Sequence, residues 1–172
     1  SKFSEDGTTK LKKIDWVMDV DDDTYVNVIG LEEFVSKRDH EHHAYFGRRG
    51  IGRPEHRKFI SSPYCMGGPG ILFSRPTLTV LAKSIDSCED EAEKQGVPSI
   101  DDVVIGKCVH DVIGIDCSDG LDDDKHTFYQ NTLDELPENK MLNTVSMHQF
   151  KKEGTMIKQH IKFGDLYRLA NN

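Results

Sequence analysis

The chain has 172 residues, a formal net charge of −8 and 36% hydrophobic residues. That length fits one domain able to bury a core, and the acidic balance argues against non-specific binding to nucleic acid or an anionic membrane surface. No apolar stretch approaches the length of a membrane span, and the polar start Ser1–Lys10 has no signal-peptide pattern. Because the first residue is Ser1 and not Met, a processed or excised chain is expected.

Residues 1–13 read as a flexible lead-in. Ile14–Val20 is an apolar run too short for a typical helix and predicts a buried strand. Asp21-Asp22-Asp23 follows at once, at the strand's C-terminal end, where open α/β sheets hold their ligands. Gly30–Val35 predicts a helix with one apolar face, and Ala44–Gly47 a short strand. Arg48–Lys58 and Ser61–Pro69 are broken by Gly and Pro and read as loops, the first of them basic. Ile71–Ser74 predicts a strand, and Pro76 suits the first position of a helix that fades into the acidic segment Glu89–Glu93. A second helix starts near Asp101, with Ser99 as its cap. Ile113–Cys117 predicts a strand, Thr127–Leu136 a short helix, Val145–His148 a strand and Met156–Leu169 a helix.

The acidic triplet is the first place where chemistry concentrates. Along an extended backbone Asp21 and Asp23 share a face, and two converging carboxylates repel unless a cation compensates them. Oxygen ligands point to Mg²⁺ or Mn²⁺ bound together with substrate phosphates; the competing reading is a solvated acidic turn. Asp122-Asp123-Asp124 is an identical triplet without a preceding apolar run and reads as a surface loop. Asp101-Asp102 sits at a helix start, where a carboxylate either caps the helix or serves as a general base. Tyr64-Cys65-Met66-Gly67-Gly68-Pro69-Gly70 lacks the ending and context of a phosphate-binding loop; it is a structural turn or a ligand-facing segment.

Among the eight histidines, His148 stands out because it ends an apolar run, either as a metal ligand or as a satisfied structural histidine. The basic residues Arg48, Arg49, Arg53, Arg57 and Lys58 form an exposed loop or meet a phosphate or uronate. Cys65, Cys88, Cys108 and Cys117 make two disulfides in any of three pairings, or remain four buried thiols.

Three blocks carry a resemblance. Asp15-Trp16-Val17-Met18-Asp19-Val20-Asp21-Asp22-Asp23-Thr24-Tyr25-Val26 resembles the acidic signature of the fringe-like β1,3-glycosyltransferases. Cys65–Arg75 resembles their glycine-rich segment, and Asp101–Val109 the block usually written Glu-Asp-Val followed by Gly. Order and spacing match over roughly residues 14–150. Within the superfamily the chain is most similar to the glucuronyltransferase domain of chondroitin synthases, through the Cys-Met-Gly-Gly-Pro-Gly wording, the four cysteines, His126–Asn131 and Met147-His148. The core 1 β1,3-galactosyltransferases are the near neighbour.

The resemblance implies an α/β fold of the GT-A type, with a central mostly parallel mixed sheet flanked by helices. Residues 14–172 would be the metal- and acceptor-binding part of this single domain. It implies an inverting, Mn²⁺-dependent transfer of glucuronate from UDP-glucuronate to an N-acetylgalactosamine acceptor in chondroitin synthesis. The alternatives are UDP-galactose transfer of the core 1 type, or a non-catalytic partner that kept the fold. Asp21, Asp22 and Asp23 would hold the UDP-sugar and metal, with Asp21, Asp23 and His148 around Mn²⁺. Asp102 would be the base. Tyr64, Met66 and Gly68 would line the sugars, and Arg53 would meet a uronate. The implied pairing is Cys88–Cys108, leaving Cys65–Cys117.

The partners implied are the UDP-sugar, the glycan acceptor and related transferases in homo- or hetero-oligomers, with no nucleic acid. The location implied is the Golgi lumen, as the catalytic part of a signal-anchored type II membrane protein whose anchor lies outside this chain. Because family members carry a nucleotide-binding βα portion before the acidic motif, a domain incomplete at its N-terminus and weakly active in isolation is expected.

Overall fold

The computed structural model describes residues 14–52, 57, 59–60, 62–97, 101–119, 127–130, 141–142, 144–152 and 154–171. The lead-in 1–13, Arg53, Lys58, the Ser99 cap, Asp122–Asp124, His126 and residues 131–140 lie outside them.

The run Ile71–Ser74 (β6) is buried along its whole length and organises the first sheet. It lies between β1 (Trp16–Asp19) and β3 (Tyr45–Gly47), antiparallel to both. Period-two alternation sends its side chains into two cores. Ile71 and Phe73 join Tyr45, Leu81, Val109 and the Cys65 and Cys117 sulfurs on one side. Leu72 joins Phe34, Phe128 and Val145 on the other. Ile71, Leu72 and Phe73 are at most 3% exposed, as expected for a strand covered on both faces. β1, the expected buried strand, is only half-buried, because it lies at the edge of this sheet.

A second sheet has the order β2 (Tyr25–Val26), β8 (Thr144–Met147), β7 (Thr127–Tyr129), and a two-stranded ladder joins β4 (Arg49–Gly50) to β5 (Tyr64–Cys65). The helices are α1 (Val28–Ser36), α2 (Arg75–Lys94), α3 (Asp101–Cys108) and α4 (Thr155–Ala170). Helix α2 carries Pro in its first turn, where the missing N–H is no loss, and runs through the acidic segment instead of fading within it. Helix α4 packs Phe163 and Leu166 over Met141, Met147 and Phe150.

The expected single, mostly parallel sheet is therefore wrong. The described residues form three separate small sheets, and of their pairings only β7–β8 is parallel. The expectation came from the family resemblance, which does not specify how these particular strands pair. Pairing is decided by long-range partners, and these strands of two to four residues are too short to extend one ladder. Four local readings also fail. Ile113–Cys117 is not a strand: a π-helical turn, Val109–Ile113, follows α3 and ends on Gly114 with φ of 78°. Thr127 opens a strand and not a helix, and the two reputed loops contain β4 and β5.

The structure contains the disulfides Cys65–Cys117 and Cys88–Cys108. The first ties β5 to the segment after the π-helical turn, and the second ties α2 to the end of α3. The signal-anchor and membrane features implied by the resemblance are not found. Among the described residues no helix is long and apolar enough to cross a membrane: α2 is long but polar, and α4 has only 16 residues.

Candidate functional site

The acidic triplet is not extended. The Thr24 N–H donates to the Asp21 carbonyl at 3.1 Å, closing a turn immediately after β1. That turn, and not strand alternation, brings the Asp21 and Asp23 carboxylates together. β8 delivers the third member, because His148 follows its last residue. The His148 N–H donates to the Tyr129 carbonyl, and the Phe150 N–H to the Asp23 carbonyl, both at 3.0 Å. His148 Nε2 lies 2.9 Å from Asp23 Oδ1 and 3.5 Å from Asp21 Oδ2. The three ligand atoms all fall within 4.8 Å of one another.

Two carboxylates and an imidazole are an oxygen-rich, borderline-hard donor set that fits Mn²⁺ or Mg²⁺. Two carboxylates held this close also leave negative charge that a cation would balance. Asp22 lines an open cleft of about 640 Å³ together with Asp21, Asp23, His148, Phe150 and Lys151.

The glycine-rich turn is the hub of the site. Its Gly70 N–H donates to the Gly67 carbonyl at 2.7 Å. The Thr24 hydroxyl donates to the Gly68 carbonyl at 2.5 Å, and the buried Ser146 hydroxyl donates to the Pro69 carbonyl. The turn is thereby clamped between the acidic turn and β8. Gly68 lies flat against the His148 ring: a Cβ there would stand 2.6 Å from Cε1 and Nδ1.

On the other side of this turn the Gly67 N–H donates to Asp102 Oδ2 at 2.9 Å. The second carboxylate oxygen, Oδ1, is buried with no hydrogen-bond partner among the described residues. Burial pushes the Asp102 carboxyl above the ordinary aspartate value. The Gly67 and Val103 N–H groups oppose that shift, while the charges of Asp101 and Asp21 reinforce it. Asp102 is thus a desolvated carboxylate with one free oxygen, held by the same turn that abuts the histidine. A carboxylate in that state is suited to accept a proton.

The chain matches the Fringe-like family model over residues 2–165. It belongs to the Fringe-like family. It is 29% identical over 160 residues to chondroitin sulfate synthase 3 of Mus musculus, covering 87% of this chain and 18% of that protein. It is 25% identical over 158 residues to chondroitin sulfate glucuronyltransferase of Homo sapiens, covering 88% and 19%. It is also 29% identical over 122 residues to glycoprotein-N-acetylgalactosamine 3-beta-galactosyltransferase 1 of Xenopus laevis, covering 69% and 30%. The chain therefore spans about a fifth of the length of the chondroitin relatives.

Within this Fringe-like chain the remaining sequence-predicted residues are spread out. Tyr64 is 7% exposed and packs with Ala92, Val97, Val103 and Val104. Met66 is half-buried on the edge of the same cluster. Arg53 lies outside the described residues. Sequence reasoning missed Thr24 and Ser146, whose hydroxyls hold the glycine turn, and Lys151 in the cleft. It also gave no role to Gln130, whose side-chain nitrogen lies 3.1 Å from His148 Nδ1. Hydroxyl, amide and amine side chains are common along any chain, so these four carried no signal until the fold placed them.

Proposed function

We propose that this domain is a metal-dependent, inverting glycosyltransferase that moves glucuronate from UDP-glucuronate to an N-acetylgalactosamine terminus. The observation that carries this reading is the shared turn Gly67–Gly70, which joins the Asp21–Asp23–His148 cluster on one side to a desolvated carboxylate on the other. Donor activation and acceptor deprotonation need these two centres to be held rigidly together. The preference for glucuronate is supported by the matches to chondroitin sulfate synthase 3 and chondroitin sulfate glucuronyltransferase, which cover 87–88% of this chain against 69% for the galactosyltransferase and 60% for chondroitin sulfate synthase 2.

In this scheme Asp21, Asp23 and His148 hold the ion, and Asp22 and Lys151 face the donor diphosphate across the cleft. When bound, Mn²⁺ would supply positive charge against the diphosphate as it leaves. The Asp102 carboxylate takes the proton of the acceptor hydroxyl. The hydroxyl oxygen then bonds to the anomeric carbon from the face opposite UDP, and the bond from that carbon to the diphosphate breaks with its electron pair going to UDP. The single displacement inverts the anomeric centre. Two disulfides suit an oxidising compartment, which for this reading is the Golgi lumen. Residues 14–172 act in it as one domain.

The test supplies UDP-glucuronate or UDP-galactose with Mn²⁺ and an acceptor ending in N-acetylgalactosamine. UDP release and product linkage are the readouts. Glucuronate transfer that disappears on chelation is expected. Turnover of UDP-galactose alone would move the assignment to the core 1 reading. UDP binding indifferent to Mn²⁺, without turnover of either donor, would identify a non-catalytic partner.

A further inference from the structure

Gln130 follows β7 and reaches the far side of the His148 ring from the acidic turn. Its side-chain nitrogen lies 3.1 Å from His148 Nδ1, while its Oε1 is buried with no hydrogen-bond partner among the described residues. A neutral imidazole carries one proton, and the group that one nitrogen meets decides which nitrogen holds it. With the Gln130 NH₂ donating to Nδ1, the proton sits on Nε2 and points to Asp23 Oδ1, 2.9 Å away. His148 and Asp23 then form a hydrogen-bonded pair, and Nε2 has no lone pair for an ion.

The amide has a second option. A half-turn about its last side-chain bond exchanges nitrogen and oxygen, which are nearly equal in size. Oε1, stranded in the first arrangement, would then accept a proton from Nδ1. Nε2 would present its lone pair to the space between Asp21 and Asp23. Each arrangement pairs one end of the amide and strands the other, so the amide itself favours neither; without an ion the Nε2–H bond to Asp23 selects the first. The presence of an ion decides between them. A carboxylate at this position could serve only the second arrangement, and a thioether could serve neither.

We infer that Gln130 is a positioning residue whose amide reverses when metal binds, switching His148 from the Nε2–H tautomer to the Nδ1–H tautomer. This inference rests on the reading of Asp21, Asp23 and His148 as metal ligands. Outer partners of ligating histidines typically change metal affinity by about 10–100-fold when removed.

The test uses the 172-residue chain with ¹⁵N-labelled histidine. Signals of His148 are assigned by difference against His148→Asn. Two-bond ¹H–¹⁵N spectra with and without Mg²⁺ report the tautomer, and calorimetry reports Mn²⁺ affinity. The wild type is expected to change from Nε2–H to Nδ1–H as Mg²⁺ is added. Gln130→Glu should show Nδ1–H already in the absence of metal and bind Mn²⁺ more tightly than the wild type. Gln130→Met should bind about 10–100-fold more weakly with its melting temperature kept. A gain in affinity for Gln130→Glu with the metal-free tautomer unchanged is an effect of charge alone and overturns the inference. So does a Gln130→Met protein that binds Mn²⁺ like the wild type. Absence of any ion effect on His148 in the wild type overturns the metal reading itself, and this inference with it.

Discussion

Replacing Gly68 with Ala adds one methyl group at the point where the glycine turn meets the histidine. The new Cβ would stand 2.6 Å from His148 Cε1, 2.6 Å from Nδ1 and 2.9 Å from Nε2. Carbon atoms rest at about 3.5–4.0 Å, so the ring and turn must separate by about 1 Å. The turn resists, because its Gly68 and Pro69 carbonyls accept hydrogen bonds from Thr24 and Ser146. The ring therefore moves, and metal–ligand distances tolerate only about 0.2 Å. Gly68 has no positive φ, so Ala introduces no backbone strain of its own.

The expected loss of Mn²⁺ affinity is about 10–100-fold, or roughly 1.4–2.8 kcal/mol. Overpacking lowers stability by about 1–3 kcal/mol. Gly67→Ala is the matched control: its Cβ meets nothing nearer than Asp102 Cβ at 3.5 Å, an ordinary contact. Calorimetric titration of Mn²⁺ into the wild type and both variants, with and without UDP, decides the matter. Wild-type affinity in Gly68→Ala, or equal losses in the two variants, would refute the steric account.

Asp102→Asn keeps an oxygen for the Gly67 N–H but removes a charge that burial disfavours. Because the folded-state value is raised, the carboxyl's favourable contribution is complete below the unfolded value, near about pH 4, and is lost as pH rises through the folded value. Asn should thus raise the melting temperature at neutral pH while abolishing transfer. The gain should vanish in thermal scans below about pH 4, and a gain that persists there contradicts the assignment. In the intact enzyme the acid limb of the pH–rate profile should lie above the ordinary aspartate value. Breaking Cys65–Cys117 by a double Ser substitution opens a 52-residue separation and should cost about 4 kcal/mol, against about 3 for the 20-residue separation of Cys88–Cys108; urea melts of the two variants should preserve that order. Gly106→Ala should lower stability by at least about 1–3 kcal/mol in the same melts, although Ala is the better helix former.

Gly106 shows why part of the sequence was legible and part was not. Read locally, a glycine inside a helix is a weakness. In the structure its missing Cβ is what lets α3 pack on β5, since a Cβ would come within 2.2 Å of the Tyr64 Cβ. Periodicity located α1, α2, α3, α4 and the run that became β6, because those patterns are written in neighbouring residues. It could not locate β4, β5 or β7, which are two or three residues long and exist only through partners far along the chain.

The candidate site divides the same way. Asp21, Asp23, Asp102 and His148 were visible because charged or ligating side chains clustered at element ends. Thr24, Gln130 and Ser146 were not, because their importance lies in what they touch. The pairing of Asp21 with Asp23 rested on an extended backbone that the structure replaces with a turn. A turn fixes two carboxylates through a single 3.1 Å backbone hydrogen bond, and the Gly68 carbonyl holds the neighbouring Thr24 in register. The glycine turn thus reaches the ligand set twice, through Thr24 on one side and against the His148 ring on the other, while its Gly67 N–H holds Asp102. A disturbance of this one segment should disturb metal binding and proton acceptance together, whereas loss of Asp23 or His148 should disturb only the first.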